Sequence, residues 1–535
     1  MKVTRRGALK SVGVLGVAAA IGCDDATVVP DLDGGADGGV PGDGGAHDGG
    51  TRPTRDGGPG PTGPFLHGVA SGDPLPDGVI LWTRVTLDGV ASISVDWEMS
   101  RDPAFAAIDA MGVATTDATR DFTVKVDAGG LAPSTTYYYR FRVTDTSDLS
   151  PIGRTRTAPD ATSDAERLRF AVVSCASYAH GWFHAYRNIA ERADLDAVIH
   201  LGDYVYEYGD GEYGRLRSYD PPHECLTLAD YRRRYAYYRS DPDVAAVHRQ
   251  HPFVCVWDDH ESANNAYRDG AGNHDEGEGE WTARKAAAQQ AYSEWLPLRA
   301  EPSRIYRTLR FGGLCDLVML DTRLEGRSEQ GEGDPSTRTV LSSEQEAFLV
   351  DALSTSTARW KLVGQQVVFS PVPAVFNSDA WDGYPAQRAR ILDAIRTQAI
   401  EDVIILTGDI HMSFAVEVVA DAEATPLEPL AIELVAPGIT SPALTPGPIT
   451  DGIVRTIERD LPYVKHYDLV NKGYFVLDLD ATGAQADFVV IDDPTAPYDT
   501  SESASASWRV AVGTHTLTAA DGPLPPVADP PALAP

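Results

Sequence analysis

The sequence predicts a layered α/β body with an all-β sandwich of immunoglobulin or fibronectin type in front of it. Three observations carry that prediction. From about Arg167 onward short apolar runs alternate with helical stretches, the signature of an α/β sheet. Between 64 and 159 the runs are instead alternating strands separated by turn residues. Third, four apolar runs of the α/β part end in residues able to do chemistry. Arg169–Ser174 leads to Cys175, Ala197–Gly202 to Asp203, Pro252–Trp257 to Asp258-Asp259-His260-Glu261, and Asp402–Gly408 to Asp409-Ile410-His411. Ligands of an α/β sheet sit beyond the carboxyl ends of its strands. Each signal alone has an ordinary explanation: a turn after a strand, a packing cysteine, a core histidine, a solvated helix start. Their joint occurrence at one edge is a metal-site inventory.

In chain order, the first segment is an address. Lys2, Arg5, Arg6 and Lys10 precede an apolar stretch, Val12 to Ile21, that is too short to span a bilayer and reads as an export signal. Thr4-Arg5-Arg6-Gly7-Ala8 resembles the twin-arginine signal, with Ala8 where an aromatic residue is usual. Ala20-Ile21-Gly22-Cys23 resembles a lipoprotein cleavage box, so residues 1–23 are expected to be removed up to a lipid-carrying Cys23. Residues 24–63 are Gly, Asp and Pro with little that is large and apolar, and read as a disordered tether. The sandwich follows over 64–159, with strands at 79–85, 93–99, 122–126 and 136–143. The body is placed at 167–512. Thr227–Ser240 and Trp281–Leu296 read as helices, and Arg232, Arg233 and Arg234 as a solvated helix face. Strands are expected at 317–320, 360–363, 432–435, 474–477 and 487–491. The Gly- and acid-rich stretch 269–280 reads as an inert surface loop, and 513–535 as a loose Pro-rich tail.

A length of 535 residues is too great for a single core. The net charge of −33 argues against a nucleic-acid partner, because phosphate backbones select basic surfaces. It also means that an anionic substrate must be attracted locally. Five cysteines in so long a chain are no disulfide framework. Cys255 and Cys315 lie in apolar runs and read as packing residues, while Cys225 has no assignment.

The chemistry follows from residue types. A pair of cations needs one bridging carboxylate, and Asp203 is placed for it. Tyr206, three residues later, can turn back onto the same ion. A phenolate and a thiolate suit a hard, highly charged cation such as Fe³⁺. His411 adds a nitrogen two residues after Asp409, so one extended segment can serve two ions. Asp259, Asn264 and Asp409 offer only oxygens, which suit Ca²⁺, Mg²⁺ or Mn²⁺.

Gly202-Asp203, Asp258-Asp259-His260-Glu261 and Gly408-Asp409-Ile410-His411 resemble the blocks of calcineurin-like metallophosphoesterases. Within that superfamily several segments resemble the PhoD-type alkaline phosphatases and phosphodiesterases. These are Gly68-Val69-Ala70-Ser71-Gly72-Asp73-Pro74 with Leu81-Trp82-Thr83-Arg84, Ser174-Cys175, Gly202–Tyr208, Trp257–Glu261 with Asn264-Asn265, and Ser507-Trp508-Arg509-Val510. The resemblance runs from about Phe65 to Val512. It implies a β-sandwich on a four-layer α/β/β/α metallophosphoesterase domain, exported by the twin-arginine route, with a site of Fe³⁺ and one or two Ca²⁺; other divalent metals are open. By that similarity Cys175, Asp203, Tyr206 and His411 hold iron. Asp203, Asp259 or Asn264, and Asp409 hold calcium, and the family's Asn ligand is Asn264 or Asn265. Water readied between the cations attacks a phosphomonoester or diester in line. His260 is a candidate general acid or a brace for its loop. Arg323, after the strand ending at Leu320, is a candidate phosphate clamp, with pairing to a carboxylate as the alternative. The expected partner is a small phosphoester substrate, with no nucleic acid, a membrane only through the lipid, and a monomeric state in the periplasm or at the cell surface.

Rivals are weaker. Tyr474–Thr482 matches the start of a haloacid-dehalogenase-type phosphatase with Asp478 as nucleophile, but only some fifty residues follow it. There is no His-Glu-x-x-His and no Gly-x-Ser-x-Gly. A phospholipase D-like diesterase stays open within the enzyme class. Outside it stands a tethered binding protein with an inactive α/β domain.

Overall fold

The computed structural model describes residues 63–162, 165–331, 333–372 and 378–535. The signal, Cys23 and the tether up to residue 62 lie outside the described residues.

Seven strands come first: β1 (Val69–Leu75), β2 (Gly78–Arg84), β3 (Ser92–Ser100), β4 (Ala110–Asp117), β5 (Thr123–Gly129), β6 (Thr136–Val143) and β7 (Gly153–Arg156). The order β4-β3-β6-β7 makes one sheet, and β1-β2-β5 face it across a core that includes Val79, Leu81, Val95, Tyr139 and Phe141. Alternation explains the placement at the start of β3, where Ile93 and Val95 are buried and Ser92 and Ser94 exposed.

The body continues with β8 (Arg167–Val173), α1 (His184–Ala190), β9 (Ala197–His200), α2 (Leu228–Arg239), α3 (Pro242–Gln250), β10 (Pro252–Cys255), α4 (Trp281–Trp295), β11 (Arg307–Phe311) and β12 (Cys315–Met319). Then come α5 (Ser343–Thr355), β13 (Trp360–Gly364), α6 (Pro385–Thr397), β14 (Val403–Thr407), β15 (Ser413–Val419), β16 (Pro429–Val435) and α7 (Pro448–Asp460). Last are β17 (Val464–Asp468), β18 (Gly473–Asp480), β19 (Gly483–Ile491), β20 (Glu502–Ala511) and β21 (Leu517–Ala519).

Two sheets result, ordered β21-β20-β19-β18-β8-β9-β10-β1-β2-β5 and β11-β12-β13-β14-β16-β15-β17. Phe170 and Val198 of the first join Leu317, Leu362 and Leu434 of the second in one apolar cluster, which also takes in Ile189, Tyr231 and Tyr292 from helices. Leu349, Leu353, Ile391 and Ile395 of α5 and α6 pack on the other face of the second sheet. The layers are therefore α/β/β/α. Parallel register then fixes the functional edge. Val173, His200 and Cys255 stand side by side in β8, β9 and β10, and Met319, Gly364, Leu406 and Leu434 do so in the second sheet. The residues following each row emerge at one level.

The sandwich is joined to the body, β1 pairing in parallel with β10 at Ser71↔Pro252 and Gly72↔Phe253. A Cβ at Gly72 would lie 2.1 Å from the Pro297 carbonyl oxygen and 2.6 Å from that of Phe253, so the seam requires glycine. Asp73 locks it, accepting from the Arg299 N–H at 2.6 Å and the Arg307 guanidinium at 2.5 Å. The tail is not loose. After β21 it lies against the body, and the Gln250 amide pairs with the Ala534 N–H and carbonyl at 2.8 and 3.1 Å. Arg234 is not a solvated residue of α2: it is fully buried, donating to the carbonyls of Tyr206, Tyr208 and Pro221. Cys225, left unassigned in a polar loop, is buried. Asp478, the rival nucleophile, is ion-paired with Arg167 and Arg169.

Candidate metal centre

The loops after β8, β9, β10 and β14 deliver the candidate ligands. Cys175 lies two residues past β8 and Asp203 three past β9. Gly202 between His200 and Asp203 has φ +113, and a Cβ there would meet the Asp258 Cβ at 2.4 Å. The Asp203 loop and the Asp258 loop touch through that glycine. Glu261 ties them, accepting from the N–H groups of Asp203 (3.0 Å), Tyr204 (2.7 Å) and Asp258 (2.8 Å).

Ligand atoms of Cys175, Asp203 and His411 lie within 4.8 Å of one another, and those of Asp203, Asp259 and His260 do likewise. Asp203 belongs to both groups. Tyr206 turns back as its spacing suggested, its hydroxyl 3.0 Å from Asp203 Oδ2, 3.3 Å from His411 Nε2 and 2.6 Å from Ser441 Oγ. His411 Nδ1 donates to the Pro442 carbonyl at 2.8 Å, which leaves the Nε2 lone pair facing Tyr206 and Asp203. The donor set of sulfur, phenol, imidazole and carboxylate fits a cation. So do the orphaned atoms: Asp203 Oδ1 and Asp409 Oδ2 are buried without any hydrogen-bond partner. Burial first, then the neighbouring Asp203 and Cys175, pushes the Tyr206 phenol well up. Burial and Asp203 do the same to the Cys175 thiol. Crowded acids driven from their anionic forms are the state a cation reverses.

The other predicted residues are placed as follows. Asp409 Oδ1 accepts from Arg323 at 2.7 Å. Both oxygens of Asp259 accept backbone N–H groups, from His260 at 3.0 Å and Asn265 at 2.6 Å. Asn264 is half-buried, and its N–H donates to Glu207 at 2.7 Å. His260 Nδ1 is held by Glu207 Oε2 at 2.8 Å. Burial opposes its charge, but Asp259, Glu207 and Asp203 outweigh burial and raise its pKa well above the ordinary value. Arg323 is not a phosphate clamp. It is fully buried, and each of its three guanidinium nitrogens holds a carboxylate, of Asp258, Asp379 and Asp409.

Several residues escaped the sequence reading. Glu207 stands inside the Gly202–Tyr208 motif yet was given no role. Ser441 follows β16 at the same edge, the rule that found the other ligand loops. Asp258 offers Oδ2, buried and unpartnered, beside its bond to Arg323. Asn273, in the stretch read as an inert loop, donates to Glu207 at 3.0 Å and so touches the holder of His260. Asp379, which also pairs with Arg327, carried no sequence signal.

A family model described as PhoD-like phosphatase matches residues 170–488, and one for the PhoD-like phosphatase N-terminal domain matches 54–159. Alkaline phosphatase D of Bacillus subtilis (strain 168) is 38% identical over 411 residues, 71% of this chain and 70% of that protein. The solved structure of PhoD superposes with a TM-score of 0.80 at 35% identity, covering 86% of this chain and 93% of that one. Purple acid phosphatase PPD1 from yellow lupin seeds matches with a TM-score of 0.55 at 13% identity, over 83% of this chain and 73% of that one, and shares the fold.

Proposed function

The chain belongs to the PhoD-like phosphatase family, a metal-dependent phosphoric ester hydrolase by that membership, and we propose how its centre is filled and where it works. Fe³⁺ is held by Cys175, Asp203, Tyr206 and His411. One or two Ca²⁺, or another divalent ion, are held by Asp203 and Asp409 with Asp259 or Asn264. The observation that supports this most is Asp203, a buried carboxylate common to both ligand groups with one oxygen unpartnered. The chemistry such ions supply is Lewis acidity toward phosphoryl oxygens and activation of water.

The chain's own residues do the rest. Glu207 keeps a proton on His260 Nδ1 and orients the ring. With its Nδ1 held there, His260 is the candidate proton donor to a departing oxygen, with bracing of its loop as the alternative. Ser441 holds the Cys175 carbonyl (2.8 Å) and the Tyr206 hydroxyl together. The substrate is a small phosphomonoester or phosphodiester. The basic head and the Ala20–Cys23 box support twin-arginine export and a lipid anchor, with work in the periplasm or at the cell surface as a monomer. Among the described residues no helix is long and apolar enough to cross a membrane.

The test is elemental analysis of protein purified without chelator, paired with hydrolysis of p-nitrophenyl and bis-p-nitrophenyl phosphate. Iron plus a divalent ion, with activity lost on chelation, is expected. Full activity in metal-free protein would sink the assignment, and the ratio of the two rates separates monoesterase from diesterase.

A further inference from the structure

The stretch 269–280 reads as inert in the sequence, yet one of its side chains reaches the centre. The Asn273 amide nitrogen lies 3.0 Å from Glu207 Oε1 and 2.9 Å from Glu224 Oε1. Both neighbours are carboxylate oxygens, so the NH2 end of the amide faces them, with one hydrogen for each. Glu207 turns its other oxygen to His260, with Oε2 2.8 Å from Nδ1. Ligand atoms of His260, Asp203 and Asp259 lie within 4.8 Å of one another, so that ring stands at the centre. One carboxylate therefore joins Asn273 on its outer side to His260 on its inner side.

Asn273 is itself held firmly. Its N–H donates to the Asn264 carbonyl at 3.1 Å, and the Asn264 N–H donates to Glu207 Oε1 at 2.7 Å. Asn273, Asn264 and Glu207 thus close a triangle of hydrogen bonds. A Cβ at Gly272 would lie 3.1 Å from the Asn265 Cβ, so the stretch packs directly on the Asn264-Asn265 turn. From α4 the buried Arg284 donates to the Asn273 carbonyl at 2.8 Å and pairs with Glu224 at 2.6 Å and Glu278 at 3.0 Å. Without the Asn273 amide, Glu207 Oε1 would keep only the Asn264 N–H, and two carboxylates would face each other across the gap. Glu207 would then be freer to swing away from His260.

We propose that Asn273 is a positioning residue for the hydrolysis: by fixing Glu207, it sets the orientation of the His260 ring at the centre. The proposal rests on the phosphoesterase reading above and on His260 acting in it. Small displacements of a working group cost rate rather than substrate binding, so the effect belongs in kcat.

The experiment uses the full-length, metal-loaded enzyme on p-nitrophenyl phosphate and compares Asn273→Ala, His260→Ala and the double variant. His260→Ala is expected to lower kcat by about a hundredfold or more. Asn273→Ala should lower it about tenfold, with KM and metal content unchanged. In the double variant kcat should equal that of His260→Ala, because a residue acting only through His260 has nothing left to position. Asn273→Leu keeps the bulk of the side chain without its donors, and should behave as Asn273→Ala does. Additive losses, a loss carried by KM or by metal content, or an unchanged kcat in either Asn273 variant would overturn the role of Asn273 and leave His260 standing. A full kcat in His260→Ala would overturn the part given to His260, and Asn273 with it. Failure of the unmodified enzyme to hydrolyse the ester would overturn the phosphoesterase reading itself.

Discussion

Cys175, Asp203, Asp409 and His411 all have left-handed backbones, with φ of 58°, 55°, 68° and 59°. That conformation costs a residue with a Cβ about 1–3 kcal/mol and persists only where the surroundings over-determine it. Three separate loops would not share such strain by accident, the one after β14 carrying two of the four residues; each turns sharply off its strand. Replacing Cys175 by Ala should then remove the iron and most activity while far-UV circular dichroism is unchanged, and normal iron in that variant would refute the thiolate ligand. Tyr206→Phe should abolish the visible phenolate-to-iron band that the purified protein is expected to show. Arg323 makes a different prediction. It neutralises Asp258, Asp379 and Asp409 away from water, and removing one partner of a buried ion network leaves charges uncompensated. Arg323→Met should cost about 3–5 kcal/mol in denaturant unfolding. A stable variant with a raised KM for phosphoesters would instead revive the clamp.

At the scale of elements, what the sequence showed depended on periodicity. The expected helix at Thr227–Ser240 is α2 with its caps: Thr227 and Asp230 close a reciprocal capping box, and Ser240 ends the helix. The strand expected at 136–143 is β6 to the residue. Buried parallel strands announced themselves as apolar runs, and the ligand loops followed from their ends. Long-range contact was not legible. Nothing local in Gly68–Pro74 says that β1 will pair with β10, some 180 residues later in the chain, and α2 gives no local sign that Arg234 will be drawn inward to three carbonyls. The tail misled for the same reason. Its prolines offer no periodicity, yet carbonyls of the tail are taken by distant donors: Arg169 on Pro525 at 2.8 Å, Tyr138 on Ala532 at 2.7 Å and Gln250 on Ala534 at 3.1 Å. Tyr138 belongs to the sandwich and Arg169 to the body, so the tail clasps the two. Truncation after Asp521 should lower stability by about 3 kcal/mol, a net bond being worth about 1 kcal/mol, with metal content unchanged. An unaltered melting temperature would show that the clasp holds nothing.

The whole molecule combines a strongly acidic surface with an interior that keeps histidines neutral. His200, His248 and His251 are fully buried, and burial holds His200 and His251 at about 3 and His248 well below its ordinary value. An unfolded chain protonates each near 6.5. Between pH 6.5 and 3 the unfolded state therefore binds protons that the folded state refuses. Each histidine's contribution is intact above pH 6.5 and is lost as the pH falls, at about 1.4 kcal/mol per pH unit. Buried acids act in the opposite sense, since burial raises Glu224 to about 7 and Asp382 to about 6 and lets the folded state take up protons in the same range. The total slope is thus a balance, and a single histidine is best read by difference. His251 suits the purpose because it lies at the far end of β10 from the metal centre, with Nε2 on the Ile189 carbonyl at 2.9 Å and Nδ1 unpartnered. His251→Gln supplies another donor for that carbonyl and removes the titrating ring. Its unfolding free energy between pH 6 and 4 should fall less steeply than that of the unmodified protein by about 1.4 kcal/mol per pH unit. Equal slopes would mean that the ring takes up its proton inside the folded protein, and that the neutral interior does not underlie the acid sensitivity.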